Sequence, residues 1–403
     1  MAALISVAEA LDRVLAHAAP LPADEVPLDE AFGRVLAYEL KARRTQPPAD
    51  VSAMDGYAVR ANDVAAAPVR LKVVGEVFAG RPFNATVGPG EAARIFTGGF
   101  VPAGADTVVI QEVTKRDGGL VEIQRTAAKG RNVRRQGLDF REGDALLAKG
   151  HRLTARDLAL AAAMNHPVVP VHRQPKVALF ATGDELVPPG MEPGPGQIVY
   201  SNGFALAALT RAEGAAVSNL GVVADDLEAT ILSVRRARDL DADVLVTTGG
   251  ASVGEHDLVQ KAFTAEGMAL SFWKVAMRPG RPLMHGRLGA MQVLGLPGNP
   301  VSSYVCAVLF LVPLIRKLSG RTDLVQPTET AVLGCDLPEN DERADYLRAT
   351  LTGGPNGPVA TPFPTQDSSM MAPLAQSGCL VVRDPYAAAA KAGEGCTIMR
   401  LGS

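Results

Sequence analysis

Apolar and polar positions change rhythm three times along this chain, and each rhythm predicts a different kind of element. Ser6-Val-Ala-Glu9 has the spacing of a capping box, and the apolar period behind it predicts a helix ending near Ala18. Residues 28–40, entered through Pro27, repeat that period and predict a second helix. After the linker Thr45-Gln-Pro-Pro48 the pattern shortens to alternation. Arg70-Leu-Lys-Val-Val74, Ala93-Arg-Ile-Phe96, Thr107-Val-Val-Ile110 and Leu120-Val-Glu-Ile123 are strand-length segments parted by Gly, Pro and Asp turns, so residues 45–140 read as a β-rich module. A helical period returns over residues 154–165, with Thr154 as N-cap, and Pro167, Pro170 and Pro175 end it. Residues 1–44 with 141–174 therefore form a helical connector around an inserted β module.

From residue 175 to 326 strands and helices alternate. Lys176-Val-Ala-Leu-Phe180, residues 217–223 and Asp243-Val-Leu-Val-Thr247 are apolar strands, and residues 202–213 and 225–238 carry helical periods between them. Such alternation predicts a parallel sheet with right-handed crossovers, whose ligands sit at the carboxyl ends of the strands. Those ends carry Thr182-Gly-Asp-Glu185, Ala224-Asp-Asp226 and the loop from Thr247 to Asp257, so three loops share one mouth. Residues 327–403 return to short β segments broken by Gly354-Pro355 and Gly357-Pro358, and read as a small C-terminal β-barrel. The fold class expected is multidomain, α/β plus all-β. No internal repeat or low-complexity tract stands out.

Composition changes the picture mainly by exclusion. With 403 residues, 40 basic against 43 acidic side chains and a net charge of −3, the chain has no general attraction for nucleic acid or anionic lipid. Cys306, Cys335, Cys379 and Cys396 lie far apart with no Cys-x-x-Cys spacing, which fits a reducing cytoplasm better than a disulfide framework or zinc cage. The N-terminus lacks a basic start and continuous apolar core, and the most apolar run, residues 304–315, is short for a bilayer and contains Pro313. A soluble, cytoplasmic protein without membrane or nucleic-acid partners is expected. The histidines form no His-Glu-x-x-His pair.

Candidate chemistry gathers in the loops. Thr247-Thr-Gly-Gly-Ala-Ser-Val-Gly-Glu-His-Asp257 is a glycine and hydroxyl loop between a strand and a helix, the arrangement that lets backbone N–H groups and a helix terminus meet a phosphate. Asp184, Glu185, Asp225, Asp226, Glu255 and Asp257 crowd the same mouth. Two readings compete for them: helix N-caps, in particular at Asp225 and Asp257, or oxygen ligands of a Mg2+-type ion that relieves their mutual repulsion. Trp273-Lys274-Val-Ala-Met-Arg278-Pro-Gly-Arg281-Pro282 reads either as a cationic turn around a tetrahedral oxyanion or as a solvated edge strand. Gly295-Leu-Pro-Gly-Asn-Pro-Val-Ser-Ser303 opens a helix, either completing an anion pocket or simply capping. Gly250-Ala-Ser252-Val-Gly254 also matches a nucleophile elbow, with Asp257 and His285 downstream, so a serine hydrolase using Ser252 is a rival that leaves the acids and the basic turn without work. Alone, Met54-Asp55-Gly56-Tyr57 reads as a polar turn held by Asp55.

Taken together the motifs resemble the MoeA family of molybdopterin molybdotransferases, also represented by the C-terminal domain of gephyrin. The resemblance spans nearly the whole chain and rests on Pro47-Pro-Ala-Asp-Val-Ser-Ala-Met-Asp-Gly-Tyr57, Ile95-Phe-Thr-Gly-Gly99, Gly104-Ala-Asp-Thr-Val-Val-Ile-Gln-Glu112, Gly130-Arg-Asn-Val-Arg134, Thr182-Gly-Asp-Glu-Leu186, Thr248-Gly-Gly-Ala-Ser-Val-Gly-Glu255, Arg278-Pro-Gly-Arg-Pro282 and Leu296-Pro-Gly-Asn-Pro-Val-Ser302. It implies an elongated four-part protomer and a head-to-tail homodimer. It also implies Mg2+-dependent insertion of molybdate into adenylylated molybdopterin with release of AMP. Handover from a molybdopterin adenylyltransferase and onward to molybdoenzymes would follow.

Carried over by motif, the resemblance implies catalytic roles for Asp55, Thr97, Asp139, Glu185, Asp225, Asp257 and Lys274, with Asp225 and Asp257 as metal ligands. It implies pterin and adenylate contacts at Gly249, Gly250, Ser252, Gly298 and Asn299, and molybdate contacts at Arg278, Arg281, Ser302, Arg348 and Ser368. Asp55, Thr97 and Asp139 would reach the cleft from the other subunit. The chain departs from the family where Arg278 and Arg281 replace frequent lysines, and where Asp367 and Ser369 stand at frequent glycines, which leaves the serine register open by one. A non-catalytic pterin-binding scaffold is the other alternative to an enzyme.

Overall fold

A six-stranded mixed sheet forms the centre of the α/β region in the computed structural model, which describes residues 4–81, 83–249, 258–355 and 357–402. Its strands lie in the order Ala216–Val223, Lys176–Thr182, Val244–Thr248, Met291–Leu296, Met284–Leu288, Ala269–Trp273. The first four run parallel, and Met284–Leu288 is antiparallel to both its neighbours. Continuous apolar runs suit strands covered on both faces. Val177, Leu179, Val244 and Val246 accordingly pack in one cluster with Leu206 and the residues after Pro300, while Ala178, Phe180 and Leu245 pack in another with Val234, Val259 and Phe263. The two faces thus belong to different helices.

The apolar run expected at 304–315 belongs to a longer helix, Pro300–Leu318, of 19 residues. By length and composition it passes for a membrane span, yet 89% of its most apolar window is buried inside the protein. Its middle, Ala307–Leu311, is wound as a π-helix just before Pro313, which has no N–H to give. Arg316 and Arg321 share Glu213 in a buried ion cluster that fastens the end of this helix to the Asn202–Ala212 helix.

The connector departs from its expected form. Helices form at Val7–Leu15, where the Ser6 Oγ accepts from the Glu9 N–H, and at Ala155–Ala163, where Asp157 reaches back to the Thr154 N–H at 2.7 Å. Residues 28–40 are not a helix. Only Leu28–Glu30 makes a single 3₁₀ turn, followed by Gly33 in the left-handed region at φ +74°. The N–H groups of Leu36 and Ala37 go instead to His151 and Pro170 carbonyls, so apolar residues that mimic a helical stripe are buried by bridges to distant chain. Ala23–Pro27 likewise pairs with Val168–His172, and Leu40–Lys41 with Ala145–Leu147.

The inserted module is a six-stranded sheet in the order Thr107–Ile110, Gly56–Val59, Glu91–Ile95, Val69–Val77, Leu120–Ile123, Thr114–Asp117. At the far end of the chain Ala344–Gly354, Gly357–Pro362, Thr328–Leu333, Gly395–Arg400 and Cys379–Arg383 close on themselves through a pairing of the last with the first, a five-stranded barrel that leaves few open edges. Met277–Arg278, from the α/β region, adds to the barrel beside Ala344 and Asp345.

Candidate active site

Three neighbouring strands end together and build the mouth: Ala181 pairs with Thr248, and Thr248 with Leu296. Gly249 follows at φ +86°, and a Cβ there would stand 2.4 Å from the Thr182 carbonyl oxygen. Only glycine permits that approach. On the other side a Cβ at Gly298 would lie 3.6 Å from the Gly249 Cα, and the Asn202 side chain donates to the Gly298 carbonyl at 2.7 Å. The hydroxyls of Thr182 and Thr247 are buried, and among the described residues neither has a hydrogen-bond partner. Gly250, Ser252, Glu255 and Asp257, which carry the rest of the loop's expected chemistry, lie outside the described residues.

The acids of the mouth separate into different roles. Asp226, not Asp225, caps the Leu227–Asp239 helix, its carboxylate accepting from the Ala229 N–H at 2.9 Å. Asp225 is thereby released from capping. Its own N–H donates to the Asp184 carboxylate at 3.1 Å, and burial, then the charges of Asp184 and Glu185, push its carboxyl above the usual range. The Glu185 carboxylate folds back so closely over Gly183 that a Cβ there would meet its oxygens at 2.6 and 2.7 Å. Among the described residues no three acidic, histidine or cysteine side chains converge on one metal position.

The basic turn is not a free edge strand. Arg278 is gripped by Asp345 through Nε at 2.8 Å and a second, shorter contact, with further contacts to Asp341 and Asn340. Gly280, at φ +110°, rests on the buried Cys306, whose thiol donates to the Gly280 carbonyl at 3.6 Å. Arg281 is exposed, and Lys274 is a non-glycine residue held at φ +92° with its N–H on the Leu283 carbonyl at 2.9 Å. Sparsely populated backbone of that kind persists only where the surroundings impose it.

Ser302 is buried in the first turn of the helix that Asn299 opens. The Asn299 side chain donates to Ser368 Oγ at 2.8 Å, and the Val301 N–H to the Ser368 carbonyl at 3.0 Å, which brings the barrel loop onto this helix start. Ser369 is turned away, its hydroxyl on Asp367 at 2.6 Å, so Ser368 is the serine beside the mouth. Arg348 is neither a strand-face charge nor an open cation. It is 1% exposed, and its guanidinium donates to the carbonyls of Met370, Asp367 and Thr365, clamping the loop that carries Ser368.

Asp55 and Thr97 meet in the β module. One Asp55 oxygen accepts from the Thr97 N–H at 2.7 Å and from its hydroxyl at 2.8 Å, and these bonds hold the carboxyl below its usual range. Asp139 is exposed and folded back against the linker, its N–H on the Gln46 carbonyl at 3.0 Å. Among the described residues no hydrogen bond or ion pair joins residues 45–140 to residues 175–326. His285, the hydrolase candidate's base, is 1% exposed in the sheet, on Gln292 at 3.1 Å, and burial lowers its pKa to about 4. It faces no mouth.

Residues that local pattern did not single out complete the frame: Asp345, Asp341 and Asn340 around Arg278, and Cys306 under Gly280. Arg278 and Asp345 are 67 positions apart, and no local period links them.

Known proteins supply an independent comparison. Residues 5–165 match a family model described as MoeA N-terminal region (domain I and II), residues 178–317 one described as probable molybdopterin binding domain, and residues 330–401 one described as MoeA C-terminal region (domain IV). A molybdopterin molybdenumtransferase of Haemophilus influenzae is 34% identical over 94% of both chains, and one of Nostoc is 40% identical over 81% of this chain and 76% of its own. Two crystal structures of a molybdopterin biosynthesis MoeA protein from Pyrococcus horikoshii have TM-scores of 0.86 and 0.84 at 32% and 29% identity, covering 100% and 99% of this chain and 100% of theirs.

Proposed function

This chain belongs to the molybdopterin molybdenumtransferase family and is an enzyme of molybdenum cofactor biosynthesis, and from that premise we propose that it inserts molybdate into adenylylated molybdopterin with release of AMP, working in the cytoplasm as a Mg2+-assisted homodimer. One observation carries the reading: contacts between Asp225 and Asp184, Gly249 and Thr182, Gly298 and Gly249, Asn299 and Ser368, and Cys306 and Gly280 gather the acidic loop, the glycines, the barrel loop and the basic turn around the ends of neighbouring strands and one helix start. There lie the groups such a reaction needs. Gly249, Gly298 and Asn299, with Gly250 and Ser252, bind the pterin phosphate and the adenylate. Arg281, Lys274, Ser302 and Ser368 receive molybdate, and Arg278 and Arg348 hold the two loops in place.

The acidic side of the mouth suits a hard divalent cation, because Asp225 is crowded by Asp184 and Glu185 and carries no basic partner among the described residues. Asp225 and Asp257 would hold Mg2+, which when bound supplies neutralisation of the phosphoanhydride charge. Glu185 steadies the donor set. Asp55, Thr97 and Asp139 come from the second subunit, which gives work to a preorganised carboxylate that bonds no α/β residue among the described residues of its own chain. Catalysis is then orientation and charge stabilisation, with no covalent nucleophile. The substrate arrives from an adenylyltransferase and the product passes to molybdoenzymes.

The test is AMP release from adenylylated molybdopterin by the purified chain, with and without molybdate and Mg2+. Release that ignores molybdate would sink the reading. Mixing inactive Asp55→Ala and Asp225→Ala chains equally should restore about a quarter of the activity, since half the dimers then hold one intact site; no recovery after subunit exchange would rule out a shared site.

A further inference from the structure

The turn Met277-Arg278-Pro279-Gly280-Arg281 is fastened on two sides, and its two guanidiniums end in unlike electrostatic states. On the barrel side, residues 277 and 278 pair with Ala344 and Asp345 as a short parallel strand. The Arg278 guanidinium spends four of its five N–H donors there, two on Asp345, one on Asp341 and one on Asn340. The Asp345 side chain is only 5% exposed, and Asp341 also pairs with Arg343. Two arginines thus face two aspartates, and no net charge remains for a ligand. On the α/β side, Gly280 sits on the Cys306 sulfur, so near that a Cβ would stand 2.4 Å from it, and the thiol holds the Gly280 carbonyl. The turn can neither rise nor sink without breaking one of these contacts. Both arginines are exposed, but Arg281 differs in its partners: among the described residues only its backbone is engaged, its carbonyl accepting from the Val275 and Leu283 N–H groups, and its guanidinium has no hydrogen bond or ion pair.

We propose that the two arginines divide the work, Arg281 being the guanidinium that meets the tetrahedral oxyanion and Arg278 a positioning residue latched to the barrel by Asp345. This rests on the reading that the turn receives molybdate. A guanidinium already neutralised by a bidentate carboxylate gains little from an oxyanion unless that carboxylate is displaced, whereas an unpaired one offers its full charge and a planar pair of donors. The latch also ties the barrel to the anion site through a residue that is not itself a ligand, since the position of Arg281 depends on Asp345.

Molybdate titration of the purified full chain by calorimetry, with AMP release as second readout, separates the roles. Arg281→Gln should weaken molybdate binding about tenfold or more, the worth of a lost charge-assisted contact, without lowering the melting temperature. The neutral pair Arg278→Gln with Asp345→Asn keeps amide partners and removes the charge at 278, so binding should stay within about threefold. A loss in the pair as large as in Arg281→Gln overturns the division of labour. If the pair does not fold, Asp345→Asn alone decides. An Arg278 that binds the anion is freed by it and should bind molybdate more tightly, which overturns the proposal, whereas a latch should raise KM for molybdate while kcat holds. Unchanged binding in every variant, Arg281→Gln included, removes the turn from the molybdate site and takes the reading beneath this proposal with it.

Discussion

Asp225 and Asp55 are both carboxylates at the ends of turns, and the protein treats them in opposite ways. Around Asp225, in the α/β mouth, burial and two neighbouring acids push the carboxyl up. Around Asp55, in the β module, the Thr97 N–H and hydroxyl hold it down. A carboxylate short of donors is paying a standing electrostatic penalty that a cation relieves, whereas one with its donors in place is already ordered for contact with a ligand. The pH consequences differ in sign as well. Stability from Asp225 is present in full below its ordinary pKa of 3.8 and is lost as pH rises through the higher folded value. Stability from Asp55 is present above 3.8 and is lost as pH falls through the lower folded value.

The largest test of that contrast is Asp225→Asn. AMP release should fall by about a hundredfold or more, as for other losses of charge stabilisation, while the variant melts no lower than wild type at neutral pH because a penalty has been removed. Wild type should gain melting temperature with Mg2+ and the variant should not. A strong drop in melting temperature would mean that Asp225 is a structural group after all. Next is the glycine contact that sets the mouth. Gly249→Ala must place a Cβ against the Thr182 carbonyl at a left-handed φ, and should cost about 1–3 kcal/mol in urea unfolding, whereas Gly298→Ala meets only ordinary contact and should stay within about 0.5 kcal/mol. Equal effects would show that the two glycines are not distinguished by that approach. The smallest effect sharpens the assignment of neighbours: Asp226→Ala, which removes the helix cap, should cost about 1 kcal/mol in stability and leave the Mg2+ response intact, the reverse of Asp225→Asn.

Legibility followed the range of the forces involved. The strands at Arg70, Thr107 and Leu120, and the alternation from Lys176 to Thr248, are visible in the chain because a two-residue or 3.6-residue period reflects which face is buried. Residues 28–40 have the same apolar spacing but a different outcome, since backbone partners at His151 and Pro170 outcompeted the local helix. Asp225 and Asp226 look equivalent as letters. Which of them caps the helix depends on where the chain turns, and that turn is fixed by the contact of Asp225 with Asp184, 41 positions earlier.

The motifs that identify the family, the three loops at one sheet edge and the gathering of glycines, acids and arginines in short segments were determined by the sequence alone, because each is a local pattern of small, acidic or basic side chains. The tertiary structure decided what those residues are free to do. It buried Arg348 among carbonyls, neutralised Arg278 with a carboxylate from the barrel, left the Arg281 guanidinium without a described partner, and set Asp55 on a module that, among the described residues, makes no bond to the α/β mouth of its own chain. Charge and donors are properties of a residue, but whether they are already spent depends on partners that the folded chain brings from far away.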